Sequence, residues 1–146
     1  MHTVEHLLAD KGYVIWSVSP DDTVYAAIKL MADKDIGALP VTIANRLVGI
    51  ISERDYTRKV ILQDRSSKST LVKEIMTADV YHITPAMSID ECMRIMSKRH
   101  FRHLPVVLEN ELIGMISIID VIKAIIDEQK DKIEHLEHNI TWSESY

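Results

Sequence analysis

Glycine, proline, aromatic residues and cysteine are all scarce in this 146-residue chain, which has four Gly, four Pro, one Phe, two Trp, five Tyr and one Cys. There is no Gly-rich loop to cradle a phosphate and no nucleophile–base pair. The single Cys92 excludes an internal disulfide and suits a reducing compartment. With aromatics at 5% and seven Met, the core is expected to be aliphatic. No apolar run approaches the roughly 20 residues needed to cross a bilayer. Residues 1–12 carry acids and lack the long apolar centre of a signal peptide, so the chain reads as cytoplasmic with no membrane partner. Basic residues are not in excess. The net charge of −5 argues against nucleic acid, whose phosphates call for a basic face.

What the chain does have is a repeat. Residues 19–55 shifted forward by 65 fall on residues 84–120 without a gap. Pro20 then meets Pro85, Met31 meets Met96, and Leu39-Pro40-Val41 meets Leu104-Pro105-Val106. Asn45, Leu47, Gly49, Ile51, Ser52 and Asp55 meet Asn110, Leu112, Gly114, Ile116, Ser117 and Asp120. A fixed offset means one structural unit used twice, packed as a pair about a pseudo-twofold axis with two matching clefts at the seam.

Each unit reads as β-α-β-β-α, an α/β fold. A short helix over residues 4–11 ends at Gly12, and Leu71–Met76 mirrors it. Tyr13–Val18 and Val80–Ile83 are β-rich runs. After Pro20, Asp21-Asp22 open a helix with Val24, Ala27, Ile28 and Met31 on one face; Ile89, Met93 and Met96 repeat that face. Cys92 aligns with Ala27 and is expected in the core. Leu39–Ile43 and Leu47–Ile51 flank the turn Ala44-Asn45-Arg46, a hairpin, repeated by Leu104–Leu108 and Leu112–Ile116. Glu53–Leu62 is helical, and the last helix starts near Ile118. The divisions are residues 7–62, a polar linker 63–70, residues 71–126, and a C-terminal helical tail 127–146. Ile122, Ile125, Ile126, Ile133, Leu136 and Ile140 form a loose apolar stripe along that tail, open to self-packing or to dimer contact. Trp142–Tyr146 reads as a loose end.

Each hairpin runs into the phrase Gly-x-x-Ser-x-x-Asp: Gly49, Ser52 and Asp55 in the first copy, Gly114, Ser117 and Asp120 in the second. Ser followed three residues later by an acid is a capping box, sufficient by itself to explain the hydroxyl. A carboxylate fixed at a helix start can also accept two hydrogen bonds from a vicinal diol, as on ribose. The duplication favours a ligand role alongside capping.

These features together (the Pro-led helix, Leu-Pro-Val, Asn-x-Leu-x-Gly and Gly-x-x-Ser-x-x-Asp, in tandem and in register) resemble a pair of CBS domains, the module named after cystathionine β-synthase. The resemblance implies two β-α-β-β-α repeats, often dimerised, that bind AMP, ADP, ATP, S-adenosylmethionine or NAD, with AMP favoured here. On that resemblance Asp55 and Asp120 hold ribose hydroxyls, with Ser52 and Ser117 in support. The stretches around Ile15 and Val80 form adenine walls. Arg102 and His103, just before Leu104-Pro105, reach phosphates, whereas their counterparts Gly37 and Ala38 carry no charge. The clefts are therefore unequal, and one nucleotide's phosphates lean on Arg102 and His103 from across the pair. Arg54 and Arg58 are phosphate candidates or solvated helix charges.

His100 and His103 sit among Arg99 and Arg102, which disfavours a metal, and none is expected. His135 and His138 lie on the charged tail. The reading is a non-enzymatic regulatory module that binds an adenosine-containing small molecule, forms a homodimer and signals to a regulated protein in trans. The competing reading is a scaffolding dimerisation protein with degenerate clefts.

Overall fold

Side-chain caps set where the helices begin. The computed structural model describes residues 2–144, with side chains through residue 138. Thr3 caps helix α1 (Val4–Lys11), Thr23 caps α2 (Val24–Lys34), Ser52 caps α3 (Glu53–Lys59) and Ser88 caps α5 (Ile89–Arg99), each hydroxyl accepting an N–H from the first turn. Between them lie strands β1 (Ala38–Ile43) and β2 (Arg46–Ser52), a 3-10 turn (Ile61–Gln63) and the four-residue α4 (Val72–Ile75). Strands β3 (His103–Leu108) and β4 (Glu111–Ser117) follow, then α6 (Ile118–Glu144). Asp21 and Asp22 precede α2 without opening it. The Asp22 carboxylate instead accepts the Ser19 N–H at 2.8 Å, and Thr23 supplies the cap at 3.1 Å. The last helix reaches Glu144, so Trp142 is not a loose end; residues 145 and 146 lie outside the described residues.

Both hairpins form with the expected tight turns. Ala44-Asn45 and Glu109-Asn110 have φ of 50° and 65°, and 52° and 66°. Two consecutive positive φ values are the type I′ geometry that matches strand twist, and Asn tolerates it. The expected strands at Tyr13–Val18 and Val80–Ile83 shrink to single parallel bridges, Val18 to Val41 and Ile83 to Val106. The prolines explain this. Val18 donates to the Pro40 carbonyl at 3.1 Å and accepts from Thr42 at 2.9 Å. The next rung in one direction needs an N–H from Pro40, and in the other an N–H from Pro20; neither exists. Ile83 repeats the pattern with the Pro105 carbonyl at 3.0 Å and Val107 at 2.8 Å, bounded by Pro105 and Pro85.

The contacts divide the chain into two compact units. One unit gathers α1, residues 84–103 and the residues from 116 onward; the other gathers residues 13–83 with residues 104–115. In the first, α1 is clasped by the segment ahead of α5: Val4 donates to Met87 at 2.9 Å and Ile89 to His2 at 3.1 Å. In the second, α4 is clasped in the same way by the start of α2. Val24 donates to Thr70 and Val72 to Asp22, both at 2.8 Å. Each short leading helix thus serves the other repeat.

The core of the second unit is aliphatic: Val24, Ala27, Met31, Leu39, Val41, Ile51, Val60, Val72 and Ile75 are buried, with Ile28 only partly so. In the first unit Ile89, Cys92 and Met96 are buried on α5. Burial, with the charge of Glu91, pushes the Cys92 thiol up to about 11, so it is a core residue and not a reactive thiol. Gly49 sits at a close approach. A Cβ there would lie 2.6 Å from Met76 Sδ and 3.1 Å from the Thr77 carbonyl oxygen, where Ile50 and Thr77 exchange backbone hydrogen bonds.

Gly12 ends α1 at φ 102° and ψ 163°, a region essentially reserved for glycine, and nothing lies within 4 Å of where its Cβ would be. Gly12→Ala is therefore expected to destabilise the protein by about 1–3 kcal/mol through backbone strain alone. Urea denaturation checks this. An unchanged midpoint and slope would show that the turn relaxes to negative φ at no cost.

Candidate functional site

The second Gly-x-x-Ser-x-x-Asp phrase lies where β4 becomes α6. Ser117 N–H donates to Asp120 Oδ2 at 2.8 Å, and Asp120 N–H donates to Ser117 Oγ at 3.1 Å. This reciprocal pair satisfies backbone donors that a helix start leaves open, and it fixes the carboxylate in the process. Lys11, the last residue of α1, places its Nζ 2.7 Å from the same Oδ2. Ile118 N–H donates to the Arg102 carbonyl at 2.8 Å, which ties the entry to β3 to the same junction. Arg102 is exposed and His103 half-buried.

The charges at this junction are coupled. Burial pushes the Asp120 carboxyl upward, but the hydrogen bond from Lys11, the Ser117 N–H and the Lys11 charge outweigh it, so its pKa is lowered. His103 is also lowered from its usual value of 6.5, first by burial, then by the charges of Lys11 and Arg102, with Asp120 opposing them. The imidazole is thus neutral at pH 7, and the fixed positive charges of the cluster are Lys11 and Arg102. One carboxylate, two cations and a neutral imidazole offer acceptors for a diol beside donors for an anion.

The first copy of the phrase is built alike. Ser52 N–H and Oγ donate to Asp55 Oδ2 at 2.9 and 3.1 Å, and Asp55 N–H donates to Ser52 Oγ at 3.2 Å. Lys59 Nζ stands 3.2 Å from Asp55 Oδ1 and donates to the Ile75 carbonyl at 2.8 Å. Arg54 and Arg58 are exposed, four residues apart on α3. Ile15 is half-buried in the extended segment before the Val18 bridge, between exposed Val14 and Trp16; Lys34 Nζ sits 4.0 Å from the Trp16 ring centre. Val80 is half-buried in the matching segment before Ile83.

The structure therefore brings Ser117, Asp120, Arg102 and His103 together in one unit, and Ser52 with Asp55 in the other. Lys11 and Lys59 are the residues that sequence reading missed. Lys59 carried a signal, because it stands four residues after Asp55 on one helix. Lys11 did not, because its contact with Asp120 spans 109 residues. His100 caps α5 in the left-handed conformation at φ 58°, as Asp35 does for α2 at φ 54°, which accounts for it structurally. Among the described residues, no group of three His, Cys, Asp or Glu could hold a metal ion. No helix among them is long and apolar enough to cross a membrane.

Comparison with known proteins accords with this geometry. The CBS domain pattern matches residues 11–61 and 72–127. The mitochondrial CBS domain-containing protein CBSX3 of Arabidopsis thaliana is 42% identical over 130 residues, which cover 86% of this chain and 63% of that one. This chain thus spans less than two thirds of that relative's length. A solved CBS-domain protein of Burkholderia ambifaria, assigned to signal transduction, superposes with a TM-score of 0.82 at 51% identity, over 88% of this chain and 96% of that one. A CBS-domain protein of Agrobacterium tumefaciens superposes with a TM-score of 0.79 at 36% identity, over 84% of this chain and 98% of that one. Proteins built from such pairs are generally regulatory or signal-transduction modules. Two domain matches along one chain, each carrying its own Ser-x-x-Asp strand-to-helix junction, make this protein a member of the CBS-domain family.

Proposed function

We propose that this protein is a regulatory module that binds an adenine nucleotide, with AMP as the favoured ligand, and passes the bound state to a partner protein. ADP, ATP, NAD and S-adenosylmethionine share the adenosine that the reading requires. The observation that carries it is the cluster at the second junction: the Asp120 carboxylate 2.7 Å from Lys11, with His103 and Arg102 beside it. Asp120 accepts the ribose hydroxyls and Ser117 supports it. Lys11 and Arg102 take the phosphate, Arg102 through a planar fork that can donate two parallel hydrogen bonds. At the first junction Asp55 and Ser52 play the ribose role, with Arg54, Arg58 and Lys59 as nearby cations. Exposed apolar surface near Ile15, including Trp16, offers adenine a face on which to stack, and half-buried Val80 is the matching position of the second repeat. The two junctions draw on different cations, which makes the two affinities unequal.

One observation favours the scaffolding reading. Both carboxylates already cap a helix and face a lysine, so neither needs a ligand to be satisfied. Asn substitution separates the two, because its amide oxygen can still accept the Ser N–H while the charge is lost. Asp120→Asn and Asp55→Asn are each expected to weaken AMP binding by about 1.5–3 kcal/mol, roughly ten- to a hundredfold, at one of two sites in calorimetric titration. Full affinity in the double variant would leave capping as the only role.

Lys11→Met and Arg102→Ala are expected to weaken AMP about tenfold while changing adenosine much less, as befits charges that meet phosphate. Equal losses for both ligands would assign these residues to the fold. His103 adds charge only when protonated, and its pKa in the free protein lies below the usual 6.5. Its help to phosphate binding should therefore grow on acidification. The gap in AMP affinity between wild type and His103→Gln should open only on acidification. A gap of constant size from pH 5.5 to 8 would remove the charge role.

A further inference from the structure

The two repeats share their backbone bonds where α2 and α5 end, and differ there in charge. Asp35 closes α2 at φ 54° and His100 closes α5 at φ 58°, both left-handed. Ile36 N–H then donates to the Met31 carbonyl at 3.0 Å, and Phe101 N–H to the Met96 carbonyl at 3.1 Å. Glu53 N–H donates to the Gly37 carbonyl at 3.1 Å, and Ile118 N–H to the Arg102 carbonyl at 2.8 Å. The backbone asks the same of both segments. Yet Asp33-Lys34-Asp35-Ile36-Gly37-Ala38 has two acids and one base, whereas Lys98-Arg99-His100-Phe101-Arg102-His103 has three bases and no acid. Lys98 and Arg99 complement the negative end of α5, but Lys34 alone serves that end of α2. The first repeat is thus an internal control: neither the cap nor the helix dipole calls for so many cations. Lys98, Arg99, His100 and Arg102 are all exposed, and they form a positive patch on a chain whose net charge is −5.

We propose that this patch docks an acidic segment of a partner protein, and that a bound nucleotide releases it. Aspartate and glutamate carboxylates fit the planar forks of Arg99 and Arg102, which can each donate two parallel hydrogen bonds. The patch is short, with every exposed cation lying between residues 98 and 102, and that length suits a few acids in a row. A nucleic-acid duplex, with a charge every 1.7 Å or so (about that spacing along its axis), would run past the patch onto a surface of net negative charge. Release follows because Arg102 belongs to both sites. In the nucleotide mode Arg102 and Lys11 meet a phosphate, which carries a charge of about −1.5 to −2 at pH 7. The nucleotide then takes one donor from the patch and repels the carboxylates held by the others. Docking stands on the patch alone, whereas the release rests on the nucleotide reading. Linkage makes the exchange reciprocal, so a docked segment weakens nucleotide binding by the same factor.

Fluorescence anisotropy of a fluorescein-labelled oligoglutamate peptide, titrated with the full chain at low ionic strength, tests both halves. The wild type is expected to bind the peptide, and less tightly as salt is added. Lys98→Glu combined with Arg99→Glu should weaken it by about tenfold or more. Lys29→Glu combined with Lys34→Glu, on the matching helix of the first repeat, changes the net charge equally and should leave binding nearly unchanged. Saturating AMP should weaken the peptide about tenfold, and adenosine should not. No binding by the wild type, or equal losses in the two double variants, would overturn the docking surface, with AMP affinity by calorimetry unaffected by that outcome. Tighter binding of a short DNA duplex or of phosphatidylserine vesicles, lost in the Lys98 and Arg99 double variant, would overturn the acidic segment as the occupant. AMP that binds without displacing the peptide would overturn the release alone. AMP that does not bind would end the nucleotide reading and the release with it, while peptide binding still decides the docking surface.

Discussion

A backbone N–H from Ser117 meets the Asp120 carboxylate at 2.8 Å, and one from Ser52 meets Asp55 at 2.9 Å. These two bonds turn strand into helix, and they also hold each carboxylate in one orientation. Each junction contributes about 1 kcal/mol as a cap. The larger consequence is positional. An aspartate whose rotamer is set by its own backbone can recognise a diol without first losing side-chain freedom. The same bonds fix where α3 and α6 begin, and so where Lys59 and the stripe of α6 come to lie.

Scarcity of proline and glycine gives each one weight. The four prolines stand in matched pairs, and they confine the leading strand of each repeat to one bridge. Residues 13–17 and 80–82 stay outside the ladders of both hairpins. Gly49 lets the chain after α4 lie against β2, with Thr77 and Ile50 bonded at 2.9 and 3.0 Å. Both carboxylates are neutralised locally, but by lysines from unrelated places, Lys11 on α1 and Lys59 on α3. In each pair the lysine is exposed and the carboxylate half-buried.

Much of this was legible in the residues. The offset of 65 predicted two similar units, and Asn45 and Asn110 marked the turns. The Ser-x-x-Asp spacing predicted both caps. Local rules failed where the deciding partner was remote or missing. The runs at Tyr13–Val18 and Val80–Ile83 have strand composition, but pairing requires N–H groups that prolines withhold. Asp21-Asp22 suited a helix start, yet Thr23 took the cap and Asp22 turned back to Ser19. Lys11 was invisible because the tertiary fold alone brings α1 to α6. The clasp of each leading helix by the other repeat was invisible for the same reason, since backbone hydrogen bonds such as Val4 to Met87 leave no mark on side-chain pattern.

The central claim is that the Ser-x-x-Asp junctions grip the ribose of an adenine nucleotide. A crystal structure grown with AMP tests it most directly. The account predicts both ribose hydroxyls within hydrogen-bond distance of the Asp120 carboxylate and the phosphate beside Lys11 and Arg102. AMP bound with its ribose away from both Asp120 and Asp55, or no AMP in crystals grown at millimolar ligand, would contradict it.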